Sequence, residues 1–174
     1  NNPGLAGLVV DKKVGAVNAM FGSNTTGVAI ESSFPGIGFN SYYNGIRTNI
    51  ATGYSGYIGV DPFAGGMQLL VSDASYDAGN SGNYKIALNI HPDGKVGVGV
   101  TDAAYLLDVG DRMRIRSKPG SSAGIWFNNE FNTASPAFVG MQTDSTIGFY
   151  GENATGWAFR MNTRTGFIGM GNVN

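Results

Sequence analysis

The chain has 174 residues, 13% of them charged, a formal net charge of -1 and no cysteine. The charged share is about half that of an ordinary soluble domain, whereas 42% hydrophobic and 11% aromatic residues supply enough apolar surface to offset the entropy of ordering, which excludes disorder. The near-zero charge provides no field to gather nucleic acid, the missing cysteines exclude disulfides and thiolate metal sites, and no run of about 18 apolar residues exists for membrane insertion.

The opening Asn1-Asn2-Pro3-Gly4 reads as a cut from a longer polypeptide. Glycine, 28 residues in all, interrupts almost every stretch of ten, so no window keeps the i, i+3, i+4 apolar spacing of a helix for three turns. Period-two patterning predicts short strands instead, at 8–10, 28–30, 57–60, 67–71, 84–90, 96–100, 107–115, 125–127, 147–150, 157–161 and 167–170. His91-Pro92-Asp93-Gly94 is a turn between two of them, because proline presets φ and glycine supplies the positive φ that closes it.

Sliding the chain on itself reveals an internal duplication. Residues 27–34 match 124–131, and Tyr57-Ile58-Gly59-Val60 matches Phe138-Val139-Gly140-Met141. Ile86, Leu88 and Ile90 then match Trp157, Phe159 and Met161, and Gly97 and Gly99 match Gly169 and Gly171. Three segments follow: a first β subdomain at 1–100 with a loop insertion, a linking strand segment at 101–120, and a shorter related subdomain at 121–174. In Val96-Gly97-Val98-Gly99-Val100 one face carries valines and the other only hydrogen atoms, which weakens a strand unless another backbone comes close. An identical chain around a threefold axis would meet that need.

Lys95-Val96-Gly97-Val98-Gly99, a polar turn, then Leu107-Asp108-Val109-Gly110 and a short Arg-rich segment resemble the G-N-V-G-I-G-T…L-D-V-x-G repeat of phage tail fibres and tail-fibre-like bacterial surface proteins. Gly169-Met170-Gly171-Asn172-Val173 resembles the start of another copy. The likeness covers roughly residues 94–116, with Asp102 and Ala103 where the family usually has a proline. It implies an intertwined, β-rich homotrimer whose ends or loops touch receptors, often glycans.

Catalysis finds little footing. His91 is the only histidine and there is no cysteine, so a nucleophile-histidine arrangement would rest on one turn imidazole, and the twelve carboxylates are scattered. His91 gathered by threefold symmetry is a conceivable metal ligand, against the plain reading of a turn residue. Asp73, Asp77 and Asn80 offer hard oxygens in a loop but lack the closing bidentate glutamate of a calcium loop. Arg112, Arg114, Arg116 and Lys118 alternate with Met113 and Ile115, placing four cations on one face of the expected strand, either for an acidic glycan or as a solvated face.

Aromatic residues are better binding candidates, since sugar rings present C–H faces to Tyr and Trp while neighbouring polar groups bond the hydroxyls. Tyr42, Tyr43, Asn44, Arg47, Tyr54 and Tyr57 are the candidate ligand-binding residues; all but the last lie in the 35–56 stretch that has no equal in the second half. Packing between protomers is the competing reading for these tyrosines. The sequence therefore predicts an all-β, intertwined homotrimeric fibre or head module of short antiparallel strands and hairpins. It is expected to act on a virion tail fibre or a cell surface, without catalysis, cofactor, metal, nucleic acid or membrane insertion, and to adhere to cell-surface glycans. The alternatives are a monomeric lectin-like β-sandwich of a secreted protein and a capsule polysaccharide depolymerase.

Overall fold

The computed structural model describes residues 17–23, 25–130, 137–151 and 156–171. The described residues form strands only, with no helix: β1 (Val17–Ser23), β2 (Thr26–Glu31), β3 (Gly36–Phe39), β4 (Ser41–Tyr43), β5 (Arg47–Asn49), β6 (Gly56–Val60), β7 (Met67–Ser72), β8 (Tyr84–Ile90), β9 (Val96–Val98), β10 (Leu107–Val109), β11 (Gly124–Phe127), β12 (Ala137–Thr143), β13 (Thr146–Gly151), β14 (Gly156–Asn162) and β15 (Ile168–Met170). The expected strand at 8–10 lies outside the described residues. The fold is all-β, and the chain divides into two compact units, Asn1–Arg112 and Met113–Asn174, a division that falls inside the 101–120 segment.

The first unit holds one eight-stranded sheet in the order β1-β2-β3-β6-β7-β8-β9-β10. Every neighbouring pair is antiparallel except β9–β10, which is parallel. Between β3 and β6 the chain leaves the sheet to make the separate β4–β5 hairpin. Asn40 makes that exit with φ 51°, a left-handed conformation that asparagine tolerates better than most residues.

The burial of this sheet inverts the usual alternation. Ala19, Ile30, Ile37, Ile58, Leu69, Leu88, Val98 and Val109 stand opposite one another strand by strand, an apolar row across all eight strands. At about 4.8 Å per strand it is roughly 34 Å long. Flanking rows add Phe21, Val28 and Phe39 on one side and Val60, Met67, Ile90 and Val96 on the other. This face is left to solvent: Phe21 is 65%, Phe39 44% and Ile58 37% exposed. The opposite face and the β4–β5 hairpin packed on it bury mostly small or polar groups, Ala29, Glu31 and Ser72 from the sheet and Ser41, Thr48 and Asn49 from the hairpin, with Ser55 just before β6.

The second unit holds the sheet β11-β12-β13-β14-β15. Its ladders repeat those of β3, β6, β7, β8 and β9 pair for pair. Ile37 faces Ile58 as Ile125 faces Val139, Leu69 faces Leu88 as Phe149 faces Phe159, and Asn89 faces Gly97 as Arg160 faces Gly169. The bulge between Leu69 and Leu70 recurs between Phe149 and Tyr150. Sheet register therefore equates β11 with Gly36–Phe39, which corrects the sequence match of 124–131 to 27–34; both are Gly-Ile-x-Phe segments or their look-alikes, and pairing to β12 decides between them. In this unit too one face is apolar and open, with Ile125 42%, Phe149 54% and Met170 77% exposed. The other carries Trp126, Phe138, Tyr150 and Trp157 as a continuous row of ring contacts at 5.0–6.0 Å.

Two further expectations change. The strand expected at 107–115 stops at Val109, because its only ladder partner, β9, ends at Val98 and Gly99 at φ 70° turns the chain away. Arg112, Arg114, Arg116 and Lys118 consequently do not share a strand face; they lie in an exposed segment outside the sheets. The close approach that Gly97 requires is made within the chain, since a Cβ there would collide with the Val100 carbonyl. The glycine pattern thus has a local cause and needs no second copy.

Candidate functional site

The 35–56 stretch is held to the sheet by buried amides. Asn49, fully buried, donates from Nδ2 to the Gly53 carbonyl at 2.7 Å and the Tyr76 carbonyl at 3.2 Å, and its Oδ1 accepts from the Ser55 hydroxyl at 2.7 Å and the Tyr84 hydroxyl at 3.3 Å. The Asn40 side chain donates to the Ala51 and Tyr54 carbonyls and accepts from the Ala51 N–H, each at 3.0 Å. A loop of polar sequence acquires a fixed shape because each buried donor and acceptor has a partner.

On this platform the β4–β5 hairpin lowers Arg47 onto the sheet. Its two terminal nitrogens donate to the two oxygens of Glu31 at 3.0 and 2.9 Å, a bidentate pair whose side chains are 11% and 0% exposed. The guanidinium lies 4.0 Å from the Tyr57 ring centroid, with Tyr43 and Tyr84 at 6.0 and 5.9 Å. Tyr57 donates to the Phe34 carbonyl at 2.8 Å, and burial raises its phenol pKa above the ordinary value, with Arg47 opposing.

Phe34, Tyr43, Tyr57 and Tyr84 wall a cavity of about 240 Å³, completed by Arg47, Asp61, Gln68 and Leu70. Tyr43 meets the Phe34 ring edge-on at 5.5 Å. Asp61 accepts the N–H groups of Phe63 and Ala64 through Oδ1, and these bonds lower its carboxyl pKa.

Of the six sequence candidates the structure brings Tyr43, Arg47 and Tyr57 together here. Tyr42 and Asn44 are not among the lining residues, and Asn44 Oδ1 accepts instead from the Thr48 hydroxyl at 3.4 Å. Tyr54, 72% exposed, borders a separate open depression with Val28 and Phe39. Tyr57 is 4% exposed and its ring face is taken by Arg47, so it supports the cavity wall and offers no open stacking face. Sequence reasoning missed Phe34, Asp61, Gln68, Leu70 and Tyr84. Gln68 was the findable one, the polar residue of an otherwise apolar run at Met67-Gln68-Leu69-Leu70-Val71.

Among the other expectations, Asp73 Oδ1 accepts from the Tyr76 hydroxyl at 2.5 Å, and no cluster of three acidic or histidine side chains occurs among the described residues. His91 Nε2 accepts from Asn89 Nδ2 at 3.1 Å and the Ala103 N–H at 3.4 Å, which ties the 101–104 turn to β8. The second unit has a larger, polar depression of about 590 Å³ between residues 115–123 and the end of β12, but its serines and Arg116 are exposed. In comparisons with known proteins, no family model matches the chain and no curated protein resembles it at a significant level.

Proposed function

We propose that this chain is a non-enzymatic, receptor-binding segment of a trimeric phage tail fibre or an analogous bacterial appendage, adhering to cell-surface glycans. The observation that carries the reading is the open apolar face. The eight-stranded sheet alone presents roughly 600 Å² of aliphatic and aromatic side chains by strand geometry, of the order of the ~800 Å² per partner that stable interfaces bury. A single-chain sandwich would seat a second sheet on such a face. In both units it lies open.

Three copies facing one another would bury these rows and keep the β4–β5 hairpin and its cavity outward, on the opposite side of the sheet. Adhesion then arises from avidity, since three weak sites on one rigid body raise the effective concentration of each. The test is the mass in solution by light scattering at micromolar concentration. Three times 18.2 kDa is expected; a stable monomer overturns the reading.

A further inference from the structure

We propose that the cavity between Phe34, Tyr43 and Tyr84 seats one uncharged pyranose ring and rejects acidic sugars; this rests on the receptor-binding reading and gives it a ligand class. Three properties of the cavity point there. At about 240 Å³ it lies below the ~300–1,000 Å³ of sites for larger ligands, leaving room for a single ring. Its walls are aromatic edges and faces with Leu70, which suit the C–H face of a sugar. Its free hydrogen-bonding groups match hydroxyls: the Gln68 amide and the Tyr43 hydroxyl have no partner among the described residues, and Asp61 keeps its second oxygen.

Charge decides against an anionic ligand. Arg47 is the cation within reach, but both of its terminal nitrogens are held by Glu31 in a bidentate pair. Arg47 at +1, Glu31 at -1 and Asp61 at -1 sum to -1, so a carboxylate or phosphate entering the cavity meets net repulsion and no free donor fork. An arginine that looks in sequence like an anion receptor is a fixed part of the floor.

The experiment is ligand-observed NMR on the full chain with methyl glycosides of neutral hexoses, glucuronic acid and sialic acid. Neutral hexose binding in the millimolar range is expected, with the acids at least about tenfold weaker. Gln68→Ala should weaken hexose binding about fivefold by removing a donor and acceptor. Asp61→Asn keeps the Oδ1 acceptor for Phe63 and Ala64 and should narrow the gap between neutral and acidic sugars about fivefold. Equal or tighter binding of the acids, no hexose binding, or an unchanged Gln68→Ala overturns the proposal. Adhesion of the labelled chain to a panel of bacterial cells separates the two readings. Adhesion undiminished by Gln68→Ala sinks the cavity and leaves receptor binding standing, whereas no adhesion by the unaltered chain sinks receptor binding.

Discussion

Ile58 stands at the middle of the apolar row, on β6 between Ile37 of β3 and Leu69 of β7, and is 37% exposed in the single chain. If copies of the chain close over this row, Ile58→Asp buries a carboxylate with no cation beside it, at a cost of about 3–5 kcal/mol per chain. Threefold assembly multiplies the change by three, to about 9 kcal/mol or more, and at 1.4 kcal/mol per tenfold this shifts the trimer equilibrium on the order of a millionfold. Sedimentation velocity at micromolar concentration should then show Ile58→Asp as monomer or misassembled chain. Ile58→Val, which costs about 1 kcal/mol per copy, should stay trimeric. Ala78→Asp, an equal charge on an exposed loop, should also leave the trimer intact. An Ile58→Asp protein that remains trimeric with unaltered thermal stability would refute the assignment of this face.

The Glu31–Arg47 pair yields a second expectation: Arg47→Met strands a buried carboxylate and should lower stability by about 3–5 kcal/mol in urea unfolding, while Glu31→Leu with Arg47→Met together should recover most of it. Asn49→Ala leaves buried carbonyls and hydroxyls without partners and should cost at least about 3 kcal/mol, with increased protease cleavage in the 50–56 loop. Tyr57 has a raised folded pKa, so its contribution is complete below its unfolded value near 10 and is lost as pH rises through the folded one; Tyr57→Phe should flatten the alkaline fall of the urea midpoint. At neutral pH the same change should cost about 1 kcal/mol for the bond to the Phe34 carbonyl.

The strands legible in the sequence are those with branched residues at period two, such as Tyr84–Ile90 and Met67–Ser72. Among those that escaped notice, β3 alternates with glycine and β12 is broken by one, and at these glycines the space is taken by a ring. Tyr57 lies over Gly36 and Gly59, and Phe138 lies over Gly124 and Gly140, where any Cβ would collide with it. A face that reads as empty in sequence is filled by one aromatic side chain, which covers a glycine of its own strand and one of the neighbouring strand. The cavity was half legible for a related reason. Tyr43 and Arg47 belong to one conspicuous stretch, but Gln68 and Tyr84 join them only through the β6–β7–β8 register, which no local pattern encodes. Glu31 gave no signal either; a lone carboxylate at the end of β2 becomes informative only when the hairpin folds back on it.

Because successive residues of β6 and β7 point to opposite sides of the sheet, neighbouring codons answer to different demands. Tyr57 and Gln68 face the cavity, and Ile58 and Leu69 face the open apolar row. A lineage adapting to a new surface sugar would therefore be expected to vary every second position of these strands and the β4–β5 hairpin, while the positions between them keep their size and greasiness. On the proposed reading, recognition would drift by point mutation without renegotiating the contact between chains, and an exchange of strands between related proteins would carry over one of the two properties only if the register travelled with it.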